Sequence, residues 1–106
     1  MKDGIYRVTF DSNQNDYGFG IVTVLNGSIN GGDHTCYYQG VFVGDKVDLR
    51  VVTYNKNNTS VFGDIDKFNL DLKFKEMPGG AVFDGCVSGR SDLKLTGSMH
   101  FLDDAV

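Results

Sequence analysis

Eight short stretches of this chain carry apolar residues at strand spacing, and all but one of the connections between them are too short for a helix. Phe68-Asn-Leu-Asp-Leu-Lys-Phe-Lys75 is the cleanest: Phe68, Leu70, Leu72 and Phe74 point one way, and Asn69, Asp71, Lys73 and Lys75 the other. Such strict period-two alternation marks a strand with one wet face. The remaining segments are Ile5–Phe10, Tyr17–Leu25, Ser28–Asn30, Thr35–Val43, Lys46–Tyr54, Ala81–Ser88 and Leu93–Leu102. Asn26-Gly27 is the strongest turn signal, because a type I′ hairpin wants positive φ at both central positions. Gly44-Asp45, Met77-Pro-Gly-Gly80 and Gly89-Arg-Ser-Asp92 punctuate the later segments. Val61-Phe62, after the polar run Asn55–Ser60, belongs to no strand pattern.

Parallel strands would need a dozen or more linking residues, so these pair antiparallel. With no helix to cover a face, the sheet must stack on another or close on itself. Gly18, Gly20, Gly40, Gly85 and Gly97 lie inside the segments, where each costs roughly 0.5–1 kcal/mol relative to Ala. Sharply bent strands at barrel corners account for such a surplus. The expected fold is therefore all-β: one domain over residues 1–106, a small antiparallel up-and-down barrel of about eight strands. Composition agrees. Val, Ile, Phe, Tyr and Thr number 35 of 106 residues, against 15 for Ala, Leu, Met, Glu and Gln, a balance that favours strands.

A closed barrel has a lumen and an outer wall, and each implies a different function. Tyr6, Phe10, Phe19, Tyr38, Phe42, Leu70, Phe74, Phe83 and Phe101 are expected to face the lumen. There they form a plain core or line a cavity for a small apolar ligand. Tyr37, Val41, Val43 and Val52 fall on the outward parity, so the outer wall is itself partly apolar, which points to a subunit or partner interface.

Other chemistries find little support. His34, Cys36, Cys86 and His100 have neither C-x-x-C nor H-x-x-x-H spacing, so no metal site is expected. Asp11-x-Asn13-x-Asn15 starts like a calcium loop, but Asp16 stands where Gly is required and Val22 where the bidentate Glu belongs. Asp64 with Asp66, or a Ser with His100, could be paired on paper, yet no motif supports catalysis, and neither an enzyme nor a cofactor is expected. Lys and Arg total 10 against 14 Asp and Glu, without a basic block, which argues against direct nucleic-acid binding. No run approaches the roughly 20 apolar residues of a membrane span. With no apolar leader either, the expected location is the cytoplasm.

Met1-Lys-Asp-Gly-Ile-Tyr6, Gly18-x-Gly20-Ile21, Ile29-x-Gly31-Gly32-Asp33, Tyr38-Gln-Gly-Val41 and Tyr54-Asn55 stand in this order and spacing over about the first 55 residues. In this the chain resembles the GrlR family, negative regulators of type III secretion gene expression in enteric pathogens. The resemblance implies a lipocalin-like barrel that dimerises and binds a transcriptional activator, keeping it from its promoter. It also implies an acidic, partner-contacting run at the turn after Tyr38-Gln-Gly-Val41. Here that turn is the short Val43-Gly44-Asp45-Lys46, which leaves Asp45 as its one acid.

Overall fold

The computed structural model describes residues 1–63 and 65–106; Asp64, considered above as half of a carboxylate pair, lies outside them. The eight strands are β1 (Gly4–Ser12), β2 (Tyr17–Leu25), β3 (Ser28–Gly32), β4 (Cys36–Val43), β5 (Lys46–Thr53), β6 (Lys67–Met77), β7 (Gly80–Val87) and β8 (Arg90–Asp103). They form a closed barrel in sequential order, every neighbour antiparallel, and β8 returns to pair with β1. The seam runs from Ile5 opposite Asp103 to Ser12 opposite Leu95. Closure gives every described strand a neighbour on both sides, which removes most of the template for edge-to-edge association.

The turns behave as their residues dictate. Asn26 and Gly27 both take positive φ, at 52° and 81°, as a type I′ turn demands. Register irregularities between Ile5 and Tyr6 and between Cys86 and Val87 interrupt the β8 ladders, where bulges add the bend that closure needs.

The strand glycines do more than bend the sheet. A Cβ on Gly97 would lie 2.4 Å from the Phe83 ring and 2.4 Å from the Thr9 carbonyl oxygen, while one on Gly18 would lie 2.7 Å from the Phe10 ring. Each aromatic ring is laid over the bare backbone of a neighbouring strand: Phe83 pairs with Gly97, and Phe10 with Gly18. Glycine makes room for a ring that would otherwise have to leave the lumen.

That arrangement corrects the expectation for β2. Its inward parity is Gly18, Gly20, Val22 and Val24, whereas Tyr17, Phe19, Ile21 and Leu25 face outward. Phe19, expected in the lumen, is 60% exposed, because the space inside β2 is taken by rings from β1 and β4. Val52 is corrected in the opposite sense. Paired with Tyr37 and Lys67, it is only 6% exposed and cannot serve as a contact on the free protein. It is buried yet outside the core cluster that fills the lumen. β6, β7 and β8 keep the expected inward faces, with Leu70, Leu72, Phe74, Phe83, Val87, Leu93, Leu95 and Met99 all buried.

Candidate functional site

The two ends of the lumen are filled differently. Toward the β2–β3, β4–β5 and β6–β7 turns, Tyr6 meets Phe101 edge-on at 5.5 Å and Phe42 meets Phe74 at 5.2 Å, with Met1 packed against the same cluster. Val24, Val47 and Ala81 complete this plug. Toward the other end lies a cavity of about 470 Å³, bordered by Val8, Phe10, Val22, Ile29, Cys36, Tyr38, Leu49, Val51, Leu70, Leu72, Phe74, Phe83, Leu95 and Met99. That volume falls within the roughly 300–1,000 Å³ usual for small-molecule sites. Of the nine lumen residues expected from sequence, Phe10, Tyr38, Leu70, Phe74 and Phe83 line this cavity from inside. Phe19 borders it at the rim, and Tyr6, Phe42 and Phe101 belong to the plug.

The connection between β5 and β6 passes over the mouth. Val61 and Phe62, unplaced by periodicity, border the cavity from above. Phe62 is buried, edge-on to Phe68 at 5.6 Å. The Ser12 hydroxyl donates to the Val61 carbonyl at 2.8 Å, tying the connection to the end of β1. The Ser60 hydroxyl donates to the Ile65 carbonyl at 3.1 Å and accepts from the Phe62 N–H at 3.2 Å. Val61 and Phe62 are thus held by bonds from the Ser12 and Ser60 side chains and by the burial of Phe62.

Asp33 organises the rim. One carboxylate oxygen accepts from the N–H groups of Thr35 and Cys36, each at 2.7 Å, which fixes the β3–β4 turn. The other accepts from the Tyr38 hydroxyl, and the Tyr54 hydroxyl donates to the Asp33 carbonyl. Sequence reasoning missed this hub. The signal was there in Gly31-Gly32-Asp33, an acid just past two glycines, but nothing local says that Tyr38 folds back to it.

Burial, and then the bond to Asp33, hold the Tyr38 hydroxyl protonated far above the ordinary phenol range. The folded chain therefore keeps a proton that the unfolded chain releases above about pH 10. Stability from this group is complete below that pH and is lost above it, by about 1.4 kcal/mol per pH unit. Urea midpoints measured at pH 9 and pH 11 should fall accordingly, and Tyr38→Phe should flatten the difference. An unchanged slope in that variant would refute the assignment. Tyr6 is raised in the same direction, chiefly by burial, and adds a residual slope.

Burial also pushes the Cys36 thiol up, so this cavity-lining sulfur stays a protonated, weak nucleophile. Cys36 and Cys86 are both free thiols. Among the described residues no three His, Cys, Asp or Glu side chains converge as metal ligands, and no helix is long and apolar enough to cross a membrane.

The outer wall is the second candidate surface. Tyr17, Phe19, Ile21 and Leu25 stand in file along β2. Ile21 is opposite Gly32 of β3, which is opposite Tyr37 of β4, so only a glycine separates two exposed apolar side chains across three strands. Val41 and Val43 lie further along β4, with Val43 at 77% exposure. The Asp45 side chain is exposed in the β4–β5 turn, while its carbonyl accepts from the Phe74 N–H at 2.7 Å.

Comparison with protein-family models and with curated proteins finds no match for this chain.

Proposed function

We propose that the chain is a non-enzymatic regulatory protein that acts by binding a protein partner such as a transcriptional activator. The GrlR-type resemblance implies this role, and the outer wall of β2 to β4 is the observation that carries it. Tyr17 and Phe19, at 72% and 60% exposure, with Ile21 and Tyr37 beside them, form an apolar face of the kind that marks a binding surface. Burying this face against a second copy gives the homodimer that the family resemblance implies; burying it against an activator gives the repressor. An acidic chain without a basic block suits action on a protein in the cytoplasm, with no direct contact to a promoter.

The test is affinity capture from the native host, with a reporter for the captured regulator's promoter. The wild-type barrel should retain a DNA-binding protein and lower its reporter. Phe19→Ser with Ile21→Ser should weaken retention by about thirtyfold or more, as loss of a central apolar anchor does, while the far-UV CD spectrum stays unchanged. A wild-type protein that retains no DNA-binding or regulatory protein overturns the reading. Equal retention by the double variant overturns the choice of surface.

A second reading rests on a separate observation, the cavity of about 470 Å³. Its apolar lining supports a small lipophile as ligand, alone or as the signal that tunes partner binding.

A further inference from the structure

We infer that the lumen takes a single-chain amphiphile whose head group is uncharged or cationic, and that it discriminates against the corresponding carboxylate. This rests on the second reading above and specifies the ligand class. The cavity is apolar inside and changes character only at its mouth. There the charged side chains on its border are Asp16 and Asp33, beside His34, and among the described residues no Lys or Arg borders it. An anionic head leaving water needs a partner for its charge; this mouth presents acids.

Geometry fixes those acids in place. Asp33 is held by the Thr35 and Cys36 N–H groups and by the Tyr38 hydroxyl. Asp16 accepts from the Tyr17 N–H at 2.9 Å. A carboxylate head entering the mouth meets like charge at both acids, least screened by solvent at the half-buried Asp33. A hydroxyl or ammonium head meets acceptors: two carboxylates and the Tyr38 oxygen. The opposite end is plugged by Tyr6, Phe42 and Phe101, so the chain enters from the mouth alone. A methylene displaces about as much volume as a water, about 30 Å³, so a cavity of about 470 Å³ has room for a chain of up to roughly 16 carbons, and a 12-carbon chain fits within it. Val61 and Phe62, which border the cavity over the mouth, supply the apolar lining beneath the head.

The experiment is displacement of the neutral fluorophore N-phenyl-1-naphthylamine at pH 8, below the critical micelle concentration of each competitor. Dodecanol and dodecylamine should displace it at least tenfold more effectively than dodecanoate. Val51→Phe and Leu49→Phe, each adding a ring to the cavity, should abolish probe binding, whereas Lys75→Ser on the wet face of β6 should leave it unchanged; two filling variants are used in case one does not fold. Asp16→Asn, at an exposed position, should narrow the discrimination against dodecanoate. Dodecanoate competing as well as dodecanol overturns the head-group assignment and leaves the cavity reading standing. Probe binding that is absent, or that survives both folded filling variants, overturns the lumen site itself.

Discussion

Gly85→Val is expected to abolish the folded barrel. Gly85 sits in the middle of β7, opposite Leu72 on one side and Leu95 on the other. A Cβ there would lie 1.9 Å from the Asp71 carbonyl oxygen and 3.0 Å from the Leu72 Cα. Both are backbone atoms of β6, so no side-chain rotation relieves the clash. The two strands must separate, and each lost ladder bond exposes or orphans a donor and an acceptor. The loss should exceed about 4 kcal/mol, the range reserved for gross core disruption, against total stabilities of about 5–15 kcal/mol. Far-UV CD at 25 °C should show the loss directly. Gly89→Asn is the control: it has a φ of +78° with nothing within 4 Å, and asparagine tolerates that conformation. It should cost about 1 kcal/mol or less. A Gly85→Val variant melting within a few degrees of wild type would show that β7 has slack here.

Asp33→Ala is expected to have the second largest effect. It removes the acceptor of three bonds at once, from Tyr38 and from the Thr35 and Cys36 amides. The Tyr38 hydroxyl is then a buried donor without a partner, a condition costing roughly 1–3 kcal/mol. With the turn amides added, the urea-derived loss should reach about 2–5 kcal/mol. Tyr38→Phe separates the contributions. Combined with Asp33→Ala it should be less costly than the two single losses added together, a coupling of about 1–3 kcal/mol. Strict additivity would mean that the phenol and the carboxylate do not depend on each other.

How far the fold could be read in advance depended on which strand was read. β6 was legible because one of its faces is fully wet: the charges at Asp71, Lys73 and Lys75 label the outside without ambiguity. Antiparallel pairing followed from connection lengths and the closed barrel from glycines inside the strands, both of them local facts. β2 was misread for a reason equally plain. Both of its parities are apolar or glycine, and period-two reasoning assigns the bulkier set to the core. The inner face of β2 is small because Phe10 of β1 and Tyr38 of β4 need the space, and that depends on register across four strands. Val52 was misplaced for a similar reason, since cover from neighbouring strands is invisible in its own segment.

The site was legible in its lining and not in its shape. Phe10, Tyr38, Leu70, Phe74 and Phe83 could be listed from parity alone, yet the division of the lumen into a plugged half and an open half could not. It arises where Tyr6, Phe42 and Phe101, from three separate strands, converge at one end. The Asp33 hub was hidden for want of any rule that pairs an acid with a tyrosine five residues on across a turn.

The β1–β8 seam carries a kinetic consequence. Seven of the strand pairings are hairpins between consecutive segments, but the eighth joins opposite ends of the sequence. Such non-local closure is slow, because chain entropy must be lost before the contacts reward it. On the ribosome the sheet can grow strand by strand, yet it stays an open ribbon with β1 exposed until β8 emerges. During that interval the unpaired margin of β1 can accept the β8 of another chain as readily as its own. Exchange of the last strand between two chains is therefore the misfolding route this topology leaves open.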